Sequence, residues 1–316
     1  MARTGIAAQV GYGQEETVGT AVTPTRFLPV LTESLGQQIT RIESEADIPG
    51  RQIITSEQWN GGPKMVSGDI QHELPVAGAG VLLYNALGAK GSTSGPGPYT
   101  TVLTPGDVYG KALTVQVGRP DVAGTTHKFV YAGCKITDLE LAMALDKPVQ
   151  MGVSLIGMTE TTGGSVTAAS FGTGHTKPYK AITHGALSIA GSAFPVIGAK
   201  VKITRPFDER RFHGQATTLE PIQSDRLAIT GEVTAEFEGL TAYNRFVNGT
   251  EAAFSYVLTQ GDNVLTLAGN CRFDGATPVK SGRGVLQITM PVVFVSSGSA
   301  DSDAFTVTVV NSDSTL

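Results

Sequence analysis

Asp208-Glu209 beside Arg210-Arg211 is the densest cluster of ionisable side chains in this 316-residue sequence. Two carboxylates next to two guanidinium groups could run acid–base chemistry. Opposite charges in one turn also neutralise each other, and a charged, exposed turn over RPFDERRF (205–212) is the simpler reading. The five histidines, His72, His127, His175, His184 and His213, show no paired or HExxH spacing, so no metal set is expected. Gly11-Tyr-Gly13 has no third glycine and no helix behind it, so it is not a dinucleotide loop. Gly110-Lys111 lacks the glycine-rich run of a phosphate loop, no serine sits in GxSxG, and Asn, Asp and Gly do not form a calcium loop. Trp59, the single tryptophan, could be a ligand platform. In QWNGG it suits an aromatic anchor at the base of a loop, or an interface contact. No enzyme and no cofactor is expected from these spacings.

The elements that would carry these side chains show a pattern that occurs twice. GDIQHELPVAGAGVLLYNALG (68–88) and GEVTAEFEGLTAYNRFVNG (231–249) each alternate like a strand with acids on one face. Each then enters a short apolar helix containing Tyr-Asn (Tyr84-Asn85, Tyr243-Asn244) and ends at glycine. A second pair follows in the same order. Cys134-Lys-Ile opens a segment ending KPVQMGVSLIG, and Cys271-Arg-Phe opens one ending GVLQITMPVVFV. The offsets differ, 163 residues from Gly68 to Gly231 and 137 from Cys134 to Cys271, so the second copy needs shorter loops. A strand–helix–strand unit repeated in one chain implies a duplicated β-domain.

Composition agrees. Glycine is abundant at 39 residues and charged residues are sparse at 16%, with frequent Thr/Val/Gly clusters, which favours an all-β architecture with short helices and many turns. The formal net charge of −5 argues against a dedicated nucleic-acid binder. Cys134 and Cys271 fall at equivalent points of the two copies and read as buried thiols, not as a disulfide. MARTGIAAQVGYGQEE contains no apolar signal region, and no apolar run approaches the ~20 residues of a membrane span, so folding in a cytoplasm is expected. The sequon at Asn248 then has no meaning.

Along the chain, residues 1–66 read as an N-terminal arm and a long loop, 67–158 as a first β-domain, 159–226 as connecting loop and strands, and 227–316 as a second β-domain with a closing strand. Pro24 and Pro29 set the reading of 1–35 as an extended arm. The next segment has strand-like pieces near Gln38–Ile42 and Arg51–Ser56. A strand from His127 to Leu145 is expected to bend at Gly133. Phe27, Leu28, Val30, Leu31, Ile53 and Ile54 have no evident place in either core. With Trp59 they are candidate contacts between subunits or between rings. Removing residues 1–35 is therefore expected to leave a folded chain that cannot assemble.

The run GYGQEETVGTAVTPTRFLPVLTESL resembles the start of tail tube proteins of long-tailed bacteriophages. So do IPGRQ…GGPKMVSGDIQHELPVAGAGVLLYNALG, YAGCKITDLELAMALDKPVQMGVSLIG and the terminal AFTVTVVNSD. Loops 91–98 and 159–185 have no clear counterpart. The resemblance implies a β-sandwich or barrel flanked by a short helix, repeated in rings that stack into the channel for DNA ejection. It implies self-association, a tape measure protein, and terminator or baseplate proteins as partners. A duplicated chain would make a trimeric, pseudo-hexameric ring. A hexamer with one tube domain and one outward decoration domain is the alternative. On this reading Asp69, Glu73, Glu232 and Glu236 line the lumen, where an acidic wall avoids binding phosphate. The same acids would equally face outer solvent on any half-buried strand. A different class, an Ig-like sandwich of a virion or cell surface that binds through its loops, would lack long unpaired arms.

Overall fold

The computed structural model describes residues 5–237, 239–275, 285–298 and 300–315. They form an all-β molecule of sandwich-like sheets with short helices. The first half contains β1 (Gln9–Gln14), β2 (Arg26–Leu28), β3 (Val30–Glu33), β4 (Gly36–Glu43), β5 (Trp59–Glu73), α1 (Gly80–Leu87), β6 (Gly88–Lys90), β7 (Tyr99–Pro105), β8 (Leu113–Pro120), β9 (Thr126–Ala144), β10 (Gln150–Gly157) and β11 (Thr159–Thr162). The second contains α2 (Ala181–His184), β12 (Gly185–Ile189), β13 (Ser192–Ala193), β14 (Gly198–Thr204), β15 (Phe207–Asp208), β16 (Ile222–Gln223), β17 (Ala228–Glu236), α3 (Leu240–Asn248), β18 (Ala252–Gln260), β19 (Asn263–Phe273), β20 (Gln287–Phe294) and β21 (Phe305–Asn311).

The strand order of the first half recurs in the second. One sheet runs β2–β1–β8–β9–β11, matched by β13–β12–β18–β19–β21. The other runs β3/β4–β5–β10–β9, matched by β14–β17–β20–β19. The registers match too. Asp69 faces Ser154 and Glu73 faces Gln150, as Glu232 faces Pro291 and Glu236 faces Gln287. Leu113 faces Cys134 as Ala252 faces Cys271. Two sequence offsets thus meet in one pairing scheme.

Glycine makes two of these junctions. β9 leaves one sheet and enters the other near Gly133, whose φ of +67° is disfavoured for any side chain. The bend is held by the Glu15 carboxylate, which accepts from the Gly133 N–H (2.9 Å), the Thr114 hydroxyl (2.8 Å) and the Gly19 N–H (2.7 Å). Gly68 and Gly231 sit at equivalent points where the preceding strand's backbone crosses closely. A Cβ there would lie 2.5 Å from Ser34 O and 2.7 Å from Lys200 O.

The two halves are continuous. The second part of β9 pairs with β14 from Ala144↔Gly198 to Asp138↔Thr204. On the other layer β7 pairs with β21 from Leu103↔Val307 to Tyr99↔Asn311. Period-two alternation drives the burial: Ile70, Leu139, Leu141, Val153, Val201, Val233 and Met290 all point into one continuous core.

The reading of residues 1–35 as a detached arm is corrected. β1 lies between β2 and β8, and Val10, Tyr12, Phe27, Leu28 and Leu35 are buried in the chain's own core. Pro24 and Pro29 interrupt the segment between strands and do not keep it out of the sheet. The Gly-Tyr-Gly motif has a packing role, since a Cβ on Gly11 would sit 2.5 Å from the Phe27 ring. Residues 185–204, read as part of a connection, supply β12–β14. Residues Arg51–Ser56 form no strand.

Tyr12 makes a testable core contact. Its hydroxyl donates to His72 Nε2 at 2.6 Å, while His72 Nδ1–H donates to the Pro29 carbonyl at 2.7 Å. Both imidazole nitrogens are used by the neutral form, and burial pushes the His72 pKa down from 6.5 to about 4. A depressed pKa means the folded state resists a proton that the unfolded chain accepts. The contribution is complete above pH 6.5 and is lost as pH falls towards 4, a loss of about 3 kcal/mol. Urea melts at pH 7 and 4.5 should show this loss, and His72→Leu should flatten it. Equal slopes in the two proteins would exclude His72 as the cause.

Candidate functional site

Two surfaces stand out, one face of the long sheet and one projecting hairpin. The order β5–β10–β9–β14–β17–β20 brings cross-strand partners to a common face. One row reads Glu73, Gln150, Ala142, Lys200, Glu232, Pro291. The next reads Gln71, Gly152, Glu140, Lys202, Thr230, Val293. Asp69, Ser154, Asp138 and Thr204 form a third. The four acids singled out from sequence, Asp69, Glu73, Glu232 and Glu236, therefore share one face of one sheet. Glu238, the next in that series, lies outside the described residues.

Sequence reasoning missed the middle of this face. Asp138 and Glu140 stand on β9, and Lys200 and Lys202 on β14. Lys200 Nζ lies 2.8 Å from Glu140 and Lys202 Nζ 2.9 Å from Asp138. These pairs cross the junction between the halves and are only partly exposed. The two lysines neutralise two of six acids, so the face keeps an excess of four negative charges. The alternating polar positions of 138–140 and 200–202 were visible, but nothing local shows that β9 and β14 are neighbours.

The second surface is the β4–β5 hairpin. Beyond Gln38 no second layer covers it among the described residues, and Ile39, Ile42, Ile48, Ile53, Ile54 and Trp59 are exposed, Ile53 at 81%. The Arg41 guanidinium lies 5.8 Å from the Trp59 ring centroid. The tip is shaped by Gln58, whose side chain accepts from the Thr55 N–H (2.8 Å) and donates to Ala46 O (2.9 Å). Its base is held by the second half, through Lys64 N–H to Ala216 O (2.8 Å) and Arg211 to Lys64 O (3.0 Å). Of the candidate contacts, Leu31, Ile53, Ile54 and Trp59 are exposed. Phe27 and Leu28 are not, which corrects their assignment as surface contacts: β2 pairs with β1 and turns both side chains inward.

The remaining candidates have structural places. Arg211 pairs with Glu209 at 2.7 Å, and Arg210 donates to Glu220 O. Within RPFDERRF Arg205 is buried while Asp208 and Phe212 are exposed, so the charged run is surface at its middle and far end and anchored at its start. Lys135, also buried, meets Glu220 at 2.6 Å, and desolvation lowers its pKa. His127 pairs with Asp121, and His175 lies against Asp313. Among the described residues no three metal-binding side chains cluster. Cys134 and Cys271 are free and buried, with the Cys271 thiol pushed up to about 12 by desolvation. No described helix is long and apolar enough to cross a membrane.

One face of the sheet is charged and the hairpin leaves apolar side chains exposed, the kind of patch that marks an interaction site. The family model described as phage tail tube protein matches residues 5–294. The chain belongs to that family: it is a structural component of the virion tail, built into the tail tube with other tail proteins. No curated protein matches the chain.

Proposed function

We propose that three copies of this chain close one ring of the tail tube, and that the polar face of the long sheet lines the channel for DNA. The observation that carries the reading is the continuous sheet itself. It holds eight inner strands per chain, counting β3/β4 as one, and both halves contribute equivalent strands. At ~4.8 Å between strands and ~40° of tilt, three chains close a barrel about 40–50 Å across between backbones. Six chains would give roughly twice that width. The hexamer with a decoration domain would also leave half of the polar face without a role.

The two tube units are then read as approximately residues 5–162 and 181–311, a division that the repeated strand order supports and that differs from the one expected from sequence. Within the chain, β9 of one unit pairs with β14 of the next. Between chains the same seam needs the free end of β19 and the outer side of β3/β4. Among the described residues, Arg272 and Phe273 pair with β20 alone, and β3 and β4 with β5 alone. Rings stack through the β4–β5 hairpin. A tape measure protein occupies the channel during assembly, and terminator and baseplate proteins cap the ends.

Electron microscopy of the purified protein tests the ring: threefold rings or tubes support it, and monomers alone overturn it. The channel assignment has a separate test. Replacing Glu73 and Glu236 with lysine should leave tubes intact and slow genome ejection, more so at low salt, where phosphate attraction is least screened. Charge-reversed virions that eject at the normal rate would remove the acids from the channel and leave the tube reading standing.

A further inference from the structure

The two short helices that close the two units are seated very differently. α1 is buried except at Tyr84, and the cavity lined by its Gly80 and Leu83 measures about 10 Å³. Its last carbonyls are capped from the other unit. Arg205, the residue after β14, donates from Nε to Ala86 O (3.3 Å) and from Nη2 to Leu87 O (2.8 Å). Among the described residues no arginine caps the end of α3 in this way. Leu240 and Val247 are 60% and 57% exposed. A cavity of about 340 Å³ opens beside it, walled by Ile189, Phe194, Phe237, Phe273, Ile288 and Met290.

What α3 lacks can be read from the internal seam. Lys202 faces Thr230 on β17, and the equivalent place on β5, Ser67, faces Gly36. Carried forward, that register brings Ile39 to the position of Arg205, with Arg41 next on the same face. Both are exposed on the hairpin, and among the described residues the Arg41 guanidinium lies over the Trp59 ring. The tripeptide Ile-Thr-Arg occurs at 39–41 and at 203–205, offset by two residues in this register, and β4 has a register shift between Ile39 and Arg41. Helix C-terminal carbonyls favour a cation, and an apolar cavity favours an aliphatic cover.

We propose that α3 is seated by a second copy of this chain. Ile39 of that copy covers the exposed apolar side of α3, and its Arg41 takes the carbonyls at the helix end as Arg205 does for α1. The inference rests on the ring reading, because it needs β3/β4 of one chain beside α3 of the next. The seam is unfinished in a single chain, so closing the ring and packing the second unit are one event.

Arg41→Cys with Val247→Cys, treated with a short thiol crosslinker after assembly, tests the contact. Cys134 and Cys271 are buried and do not interfere. A ladder ending at three chains is the expected result. A ladder ending at six keeps the contact and overturns the three-chain ring. In parallel, Arg41→Ala should raise the concentration needed for polymerisation at least tenfold while the monomer melts as before, with partial recovery in Arg41→Lys. Tubes that form normally from Arg41→Ala, and give no ladder from the double cysteine variant, overturn the inference and spare the tube reading. Failure of the unaltered protein to form rings or tubes overturns both.

Discussion

Replacing residues 44–58 with an Asn-Gly turn is expected to give a folded chain that no longer polymerises. Glu43 faces Trp59, so a two-residue turn closes the shortened hairpin without disturbing its register. The excised tip contributes nothing to the core, and the melting temperature should hold. What is lost is Ile48, Ile53 and Ile54, all exposed in the single chain. Each aliphatic side chain buried against a neighbour is worth about 1.5–3 kcal/mol. Even partial burial of three exceeds ~2.8 kcal/mol, so the critical concentration should rise about a hundredfold or more. Sedimentation across a concentration series measures this. Polymerisation at the unaltered concentration would free the hairpin from any role in stacking.

Much of the wall was legible because its signals are local. Acid-and-apolar alternation in 68–74 and 231–236 fixed two strands and the face of their acids. Gly133 marked the bend of β9, and the apolar VLLYNAL stretch marked α1. Less legible were features set by what lies opposite. Ile39 and Ile42 alternate like core residues, yet their hairpin has no facing layer. Arg205 sits in a charged run that reads as solvent-exposed, yet it is buried because the helix carbonyls of Ala86 and Leu87 replace its water. The acids of β5 and β17 could be placed on strands, but their union on one face depends on the β9–β14 pairing across the chain. Neither repeat offset alone contains that pairing. The prolines at 24 and 29 were informative about breaks and misleading about burial.

Removing residues 1–25 should abolish folding, in contrast to the hairpin deletion. The cut takes out β1, which pairs with β8 from Gln9↔Gly118 to Gln14↔Leu113 and with β2 on its other side. Val10 and Tyr12 leave the core, at about 1.5–3 kcal/mol each for lost burial and more for the void. The Glu15 carboxylate goes with them, which orphans the buried Thr114 hydroxyl and the Gly133 N–H at the bend of β9. Unsatisfied buried donors cost about 1–3 kcal/mol each. His72 loses the hydroxyl that its Nε2 accepts from. Together these reach on the order of 10 kcal/mol, comparable with the whole stability of an ordinary domain. The truncated chain should show no cooperative melt by circular dichroism, and Tyr12→Ala alone should cost about 3–5 kcal/mol in urea. A truncated chain that melts like the intact one, yet fails to form tubes, would make β1 a detachable assembly arm. The pairing of Val10 and Tyr12 inside one chain would then have to be replaced by pairing between chains.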